Sequence, residues 1–282
     1  HYMTSPGRLR SLLFAPAVRP DLLRKMPRTG ADAIVIDLED ATPPNAKADG
    51  RANLVELAPE LIDQVAVYVR VNDDTTEWHE DDLDAVPVGL QGIVVPKIET
   101  IAALDALQER LGSRGLSDLV LIGGVETALG VADARELLAH SVIDAAYFGA
   151  EDFIADMGGV RTPSNAEAQY ARSQVALAGR LAEKLVIDQI VADFRDDDRC
   201  DRECREARAL GYGGKLCIHP AQVAIAHAAF TPSEEEVDRA HRLLVAYAEA
   251  TAGGVASIAF EGQMVDEPVA IQARRILVLA AE

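Results

Sequence analysis

Several charged side chains in this chain follow directly on apolar, β-prone runs, and the carboxyl ends of parallel strands are where open sheets and barrels bind their ligands. One run ends in Glu126 and the next in Glu151-Asp152. If these runs are neighbouring parallel strands, about 4.8 Å apart, the carboxylates of Glu126 and Asp152 converge on one point. Two carboxylates that leave room for water and substrate oxygens form a Mg2+ site. The competing reading is that either acid caps the following helix, a position that favours Asp. Arg70 stands in Val67-Tyr-Val-Arg-Val71, and strand alternation gives it the face of Tyr68 and Asn72. A guanidinium there suits a carboxylate or a developing oxyanion, or else a structural pair with Asp37 or Glu39 on the preceding run. Lys97 and Glu99, two residues apart, are expected to pair with each other. His219, beside Pro220, reads as a hydrogen-bonding residue rather than a base. The acidic stretch around Trp78, Glu77 to Asp82, reads as a helix start.

The elements that must position these groups alternate in kind. Strands are expected over Ser11–Ala17, Ala33–Asp37, Ala66–Val71, Gly92–Lys97, Leu119–Val125, Ala145–Gly149, Leu185–Ile190 and Lys215–Ile218. Between them lie stretches of helical period such as Ile101–Arg110 and Ala166–Glu183. Strands written as near-continuous apolar runs are buried on both faces, as in a parallel sheet. Eight such units over about 230 residues match a (β/α)8 barrel. An open doubly wound sheet would show a glycine-rich turn after the first strand, where this chain has Ala15-Pro-Ala-Val18. The barrel domain is therefore expected over residues 1–230 and a separate extension over 231–282. The extension begins at Thr231-Pro232, where Ser233 and Glu236 have the spacing of a capping box. A helix to about Ala250, a short run at Ser257–Phe260, a turn at Glu261-Gly262 and a last helix over Val269–Ala280 complete it.

Composition narrows the function. The 282 residues carry 27 Lys and Arg against 46 Asp and Glu, a net charge of −19, which argues against a nucleic-acid partner. Hydrophobic residues make up 49% but aromatics only 5%, so the core is aliphatic. Residues 1–30 run against the trend, with Arg8, Arg10, Arg19, Arg24, Lys25 and Arg28 facing a single acid, Asp21. This start is either a solvated basic face or a local anion site. Cys200, Cys204 and Cys217 are too few for a disulfide framework and read as incidental thiols, in keeping with a reducing cytoplasm. No apolar run reaches the length of a membrane span, about 20 residues, and no secretory leader is read, so the expected location is cytoplasmic.

Taken in order, the motifs resemble the HpcH/HpaI aldolase/citrate lyase β-subunit superfamily, in its citrate lyase β/malyl-CoA lyase-like branch. The segments that carry the resemblance are Arg10-Ser-Leu-Leu-Phe-Ala-Pro-Ala17, Asp32-Ala-Ile-Val-Ile-Asp-Leu-Glu-Asp40, Val69-Arg-Val-Asn72 and Val95-Pro-Lys-Ile-Glu99. Val125-Glu-Thr-Ala-Leu-Gly130, Phe148-Gly-Ala-Glu-Asp-Phe153, Gly214-Lys-Leu-Cys-Ile-His-Pro220 and Gly262-Gln-Met-Val-Asp-Glu-Pro268 follow. The resemblance implies an α/β fold, a modified (β/α)8 TIM barrel with a C-terminal helical extension, assembled as a homotrimer or hexamer. It implies Mg2+ held by Glu126 and Asp152, with the carboxylate of a 2-oxo acid on the backbone of Ala150, Glu151 and Asp152. Arg70 would lie by the thioester enolate and the oxo acid. Phe14, Arg19 and Lys25 match positions around coenzyme A, and Asp266 matches an acid delivered to a neighbouring subunit's site. The implied activity is carbon–carbon lysis or formation of a short 3-hydroxyacyl-CoA such as citryl-, citramalyl- or malyl-CoA, giving acetyl- or propionyl-CoA and a 2-oxo acid. Thioester hydrolysis or a synthase-like reaction on the same substrates is the alternative, as is the β component of a citrate lyase complex with an acyl-carrier partner. With the resemblance, Arg19 and Lys25 turn the basic start into the polyphosphate site of coenzyme A. The chain departs from the pattern at Ile187-Asp-Gln-Ile190, where relatives often carry Ile-Asp-Gly and an aromatic.

Overall fold

The eight apolar runs close on themselves. In this computed structural model, which describes residues 7–281, strands β1 (Ser11–Pro16), β2 (Ala33–Asp37), β3 (Ala66–Arg70), β4 (Gly92–Val95), β5 (Val120–Val125), β6 (Ala145–Phe148), β7 (Leu185–Asp188) and β8 (Gly214–Cys217) form a closed barrel. All eight neighbouring pairs are parallel, and β8 closes on β1. Strand ends differ from the expected ones by one or two residues. β4 and β7 each end two residues early, β4 at Pro96-Lys97, where proline lacks a ladder donor and Lys97 adopts a positive φ of 50°.

Every second residue points inward. Leu12, Val35, Tyr68, Val94, Ile122, Tyr147, Ile187 and Leu216, one from each strand, are buried in the barrel core. Continuing that phase upward makes Phe14, Asp37 and Arg70 inward-facing at the carboxyl end. The register puts Asp37 directly opposite Arg70. Glycine is required on β5: a Cβ at Gly124 would strike the Tyr147 hydroxyl.

The outward phase of β7 and β8 carries charge instead. Asp188 and Lys215 are register partners, and Lys215 Nζ lies 2.7 Å from Asp188 Oδ2 and 3.3 Å from Glu203 Oε2. Arg172, from the helix Gln169–Ala182, donates to both Asp188 oxygens at 2.8 Å. Gln189 donates to Glu203 at 3.1 Å, so the departure at Gln189 feeds this network rather than the barrel mouth. All five side chains are fully buried. Lys215→Met is expected to cost about 3–5 kcal/mol by leaving buried acids uncompensated. Denaturant titration should show a lower midpoint at unchanged slope. The same network sets an acid limit. Burial disfavours the charged Glu203, but Lys215 and Arg199 outweigh it and hold the carboxyl at about 2 instead of 4.5. A depressed carboxyl contributes stability above its unfolded value, and that contribution drains away as pH falls from 4.5 toward 2.

The chain divides into two compact units, one ending at Ala226 and the other beginning at His227. In the second, Ser233 Oγ accepts from the Glu236 backbone N–H at 3.1 Å and Glu236 accepts from the Ser233 N–H at 2.8 Å, the reciprocal capping box. The helix Glu234–Ala252 follows, then a hairpin of β9 (Ile258–Phe260) and β10 (Gln263–Val265), then the helix Glu267–Ala281. Glu261 and Gly262 both have positive φ, as a tight hairpin turn demands. β10 was not foreseen, since Gln263-Met264-Val265 is short and mostly exposed. Leu243, Tyr247, Val265 and Ala270 form this unit's own core. Cys200, Cys204 and Cys217 are free and buried. Among the described residues, no helix is long and apolar enough to cross a membrane.

Candidate active site

A cavity of about 460 Å³ opens at the carboxyl end of the barrel. Its lining divides by sector. Asp37, Arg70, Glu126 and Asp152 come from the ends of β2, β3, β5 and β6, whereas Phe14, Ile190 and Ile218 come from β1 and the segments after β7 and β8. One wall is thus charged and the other apolar.

Arg70 is held on three sides. Its Nε and Nη2 donate to Asp37 Oδ1 and Oδ2 at 2.8 and 2.6 Å, and Nη1 lies 2.8 Å from Glu39 Oε2. Its Cζ sits 5.2 Å from the Phe14 ring centroid. The bidentate contact follows from the register, because a planar guanidinium matches a carboxylate lying opposite it on the next strand. Burial works against the charge, but Asp37 and Glu39 outweigh it and raise the Arg70 pKa still further above its ordinary value. Both readings of Arg70 therefore meet in one residue: it is structurally paired and it lines the cavity.

Lys97 does not pair with Glu99. The strand stops at Val95 and the left-handed backbone at Lys97 turns its side chain to Glu39, with Nζ 2.7 Å from Glu39 Oε1 and 3.7 Å from Asp152 Oδ1. The same turn aims the Lys97 backbone N–H at Glu126 Oε1, 2.9 Å away. Tyr147 donates its hydroxyl to that oxygen at 2.8 Å. Tyr147 was missed from sequence; its signal is a lone tyrosine at an inward position of Ala145-Ala-Tyr-Phe148. Asn72 does not share the mouth with Arg70. The strand ends before it, and its amide instead braces the Leu38 carbonyl at 2.9 Å and Asp82 at 2.6 Å.

Glu126 is buried, and desolvation, followed by the charge of Glu39, pushes its carboxyl up to about 7, with Arg70 opposing. Four carboxylates, Asp37, Glu39, Glu126 and Asp152, face two cations, Arg70 and Lys97. The surplus is negative, which favours a divalent cation. A Cβ at Gly149 would collide with Glu126 Oε2, so glycine keeps that oxygen's surroundings open. Oxygen-only donors, too few to complete a shell, suit Mg2+, which keeps water. Neither acid caps a helix: the N-cap of Ala150–Asp156 is Gly149, and that of Ala128–Ala132 is Thr127.

The other expected site residues are distributed as follows. Ala150, Glu151 and Asp152 line the cavity as the first turn of Ala150–Asp156, although the Glu151 carboxylate is drawn to Arg161 at 2.9 Å. Phe14 lines the cavity, but Arg19 and Lys25 are not among its lining residues. Arg19 pairs with Asp21 at 2.9 Å and is half exposed, and Lys25 is exposed. Asp266 belongs to the C-terminal unit, just ahead of Glu267–Ala281. His219 accepts the Ala221 N–H at 3.2 Å and stacks on Phe194 at 4.9 Å, a structural role. Trp78 is the N-cap of His79–Asp84.

Known proteins share this architecture and sequence. A citrate lyase subunit beta-like protein of Deinococcus radiodurans is 46% identical over 281 residues, covering 96% of this chain and 97% of that one. A (3S)-malyl-CoA thioesterase of Cereibacter sphaeroides is 32% identical over 274 residues, covering 96% and 94%. The crystal structure of CitE from Mycobacterium tuberculosis, in complex with magnesium, acetoacetate and coenzyme A, superposes with a TM-score of 0.83 at 32% identity, covering 98% of this chain and all of that one. The family model for HpcH/HpaI aldolase/citrate lyase matches residues 10–220, the segment that builds the barrel and its charged mouth, and the chain belongs to that family.

Proposed function

We propose that the protein is a Mg2+-dependent carbon–carbon lyase acting on a short 3-hydroxyacyl-CoA. The observation that carries this reading is the clamp of Asp37 and Glu39 on Arg70, which lines one cavity with Glu126. Glu126 and Asp152 would hold the metal, which when bound supplies Lewis-acid polarisation of the oxygen that becomes the oxo group. Lys97 and Tyr147 hold Glu126 in place for it. Breaking the C2–C3 bond leaves its electrons on the thioester as an enolate. Arg70, already fixed, offers that oxygen a positive charge without reorganising. The first N–H groups of Ala150–Asp156 receive the 2-oxo acid's carboxylate, since they have no partner inside the helix. Water takes the proton released from the substrate hydroxyl as the oxo group forms, and Asp266, brought by a neighbouring copy in a homo-oligomer such as a trimer, gives the enolate carbon its proton. The apolar wall of Phe14, Ile190 and Ile218 takes the acyl chain.

The thioesterase relative favours a second reading, in which water captures the same thioester. Incubation with malyl-, citramalyl- and citryl-CoA plus Mg2+ separates the two. Acetyl- or propionyl-CoA with a 2-oxo acid marks lysis; free CoA without a 2-oxo acid marks hydrolysis; silence on all three substrates removes both.

Arg19 and Lys25 carry the expected contact with coenzyme A phosphates. Exposed cation–phosphate contacts are screened within about 8–10 Å at ordinary ionic strength. The Arg19→Ala/Lys25→Ala double variant should therefore bind CoA more weakly, with the loss largest at low salt. Calorimetry showing equal affinity at every salt concentration would remove both residues from the site.

A further inference from the structure

The turn that carries Asp37 and Glu39 is held from behind by a second buried cation. Lys47 opens the helix Lys47–Leu61 and is only 5% exposed. Its Nζ donates to two consecutive backbone carbonyls, those of Leu38 and Glu39, at 2.7 Å each. The same ammonium lies 5.0 Å from the ring centroid of Trp78, a cation–π contact. Lys47 does not line the active-site cavity. It borders a separate cavity of about 280 Å³ shared with Glu39, Trp78 and Lys97.

The two carbonyls are those of the peptide groups on either side of the Glu39 Cα. Holding both peptide planes sets the direction in which the Cα–Cβ bond of Glu39 leaves the turn. That side chain has two tasks at once: one oxygen lies against Arg70 Nη1 and the other against Lys97 Nζ. Other groups share each peptide: Asp37 accepts the Glu39 N–H and Asn72 donates to the Leu38 carbonyl on the amino side, and the Thr42 N–H donates to the Glu39 carbonyl on the carboxyl side. Among the described residues, Lys47 is the one side chain that joins the two peptides by donating to both carbonyls. An ammonium suits the task, since it offers three rotatable donors from a point and can meet two converging carbonyls while facing an aromatic ring.

We propose that Lys47 is a positioning residue of the reaction: by bridging the two peptide groups that flank Glu39, it holds the Glu39 carboxylate between Arg70 and Lys97 and so aims Arg70 at the substrate. This rests on the reading of Arg70 as the group that meets the enolate. A purely structural Lys47 would change stability and leave the chemical step alone.

The test compares wild type, Lys47→Met, Lys47→Gln, Glu39→Gln and the Lys47→Met/Glu39→Gln double variant, with (3S)-malyl-CoA and Mg2+ as the probe. Displacement of reacting groups by about 1 Å costs on the order of 100-fold, so Lys47→Met should lose about 10- to 100-fold in kcat, with KM within about threefold. In the Glu39→Gln background most of that loss should vanish, because residues that act through one another are not additive. Trp78 is the only tryptophan in the chain, so its emission reports whether the neighbourhood is still folded in each variant. A folded Lys47→Met with wild-type kcat, or losses that simply add, overturns the proposal. If Lys47→Met does not fold, Lys47→Gln, which reaches one carbonyl at most, carries the same comparison, and unchanged kcat there overturns it equally. Should wild type fail to turn over malyl-CoA, the functional reading fails by itself. A crystal structure of the Lys47 variant still decides the inference: Glu39 leaving Arg70 or Lys97 supports it, and Glu39 keeping both contacts overturns it.

Discussion

Arg70→Met is expected to lower kcat by about 10²–10³-fold, the scale seen when a fixed donor to a developing oxyanion is removed. The guanidinium costs nothing to align at the moment of reaction because Asp37 and Glu39 already hold it at 2.6–2.8 Å. The substitution should not weaken the metal site. Arg70 opposes the upward shift of Glu126, so removing it leaves that carboxyl more readily protonated while taking a positive charge from the mouth; Mg2+ affinity should be equal or tighter once the pH is high enough to ionise Glu126. Stability should fall as well, since the nearly buried Asp37 and Glu39 lose their common partner, and breaking such a pair costs about 3–5 kcal/mol. Arg70→Lys separates charge from geometry. A lysine is a point charge and cannot make the planar bidentate contact, so it should recover fold more than turnover. Steady-state kinetics, Mg2+ titration and thermal unfolding on both variants check this. Turnover within about threefold of wild type in a folded Arg70→Met, against the 10²-fold expectation, would take Arg70 out of the mechanism.

The same residue shows what can be read from sequence and what cannot. That Arg70 faces inward follows from two-residue alternation with Tyr68, which needs no structure. That it lies opposite Asp37 depends on the register between β2 and β3, which is set by packing of the whole barrel and has no local signature. The eight strands are legible because buried parallel strands are continuous apolar runs, and their ends are overrun by one or two residues where the sequence run continues past the ladder, as at Val71 and at Gln189-Ile190. Lys97 pairs with Glu39 and not with Glu99, its neighbour in sequence. A positive φ at a lysine has no compositional signal, and it is what swings the side chain to Glu39, far away in sequence. At Ile187–Ile190 the departure was visible but its consequence was not. Alternation sends Asp188 outward, Gln189 reaches the buried Glu203, and Ile190 alone meets the cavity. Lys47 and Tyr147 escaped notice for a related reason: each acts by bonding to groups from other elements, and neither stands in a motif.

Asp266→Ala is expected to abolish turnover while leaving Mg2+ affinity near wild type, because the carboxylates that would hold the metal, Glu126 and Asp152, belong to the barrel and Asp266 to the other compact unit. The chemistry requires a proton at the enolate carbon, and a carboxyl held apart from the metal can supply it without competing for the cation. If Asp266 comes from a neighbouring copy, two inactive proteins should rescue one another. In a closed ring each site would combine Arg70 of one subunit with Asp266 of the next. Co-assembled Arg70→Met and Asp266→Ala chains, mixed equally and at random, would then place both intact residues in about a quarter of the sites of such a ring. Activity near that fraction, appearing only after subunits are dissociated and reassembled together, is the expected result. Activity retained by Asp266→Ala alone removes the residue from the proton transfer. No rescue on mixing, with a mixed oligomer shown by mass, places the proton donor within the same chain and separates the chemistry from assembly.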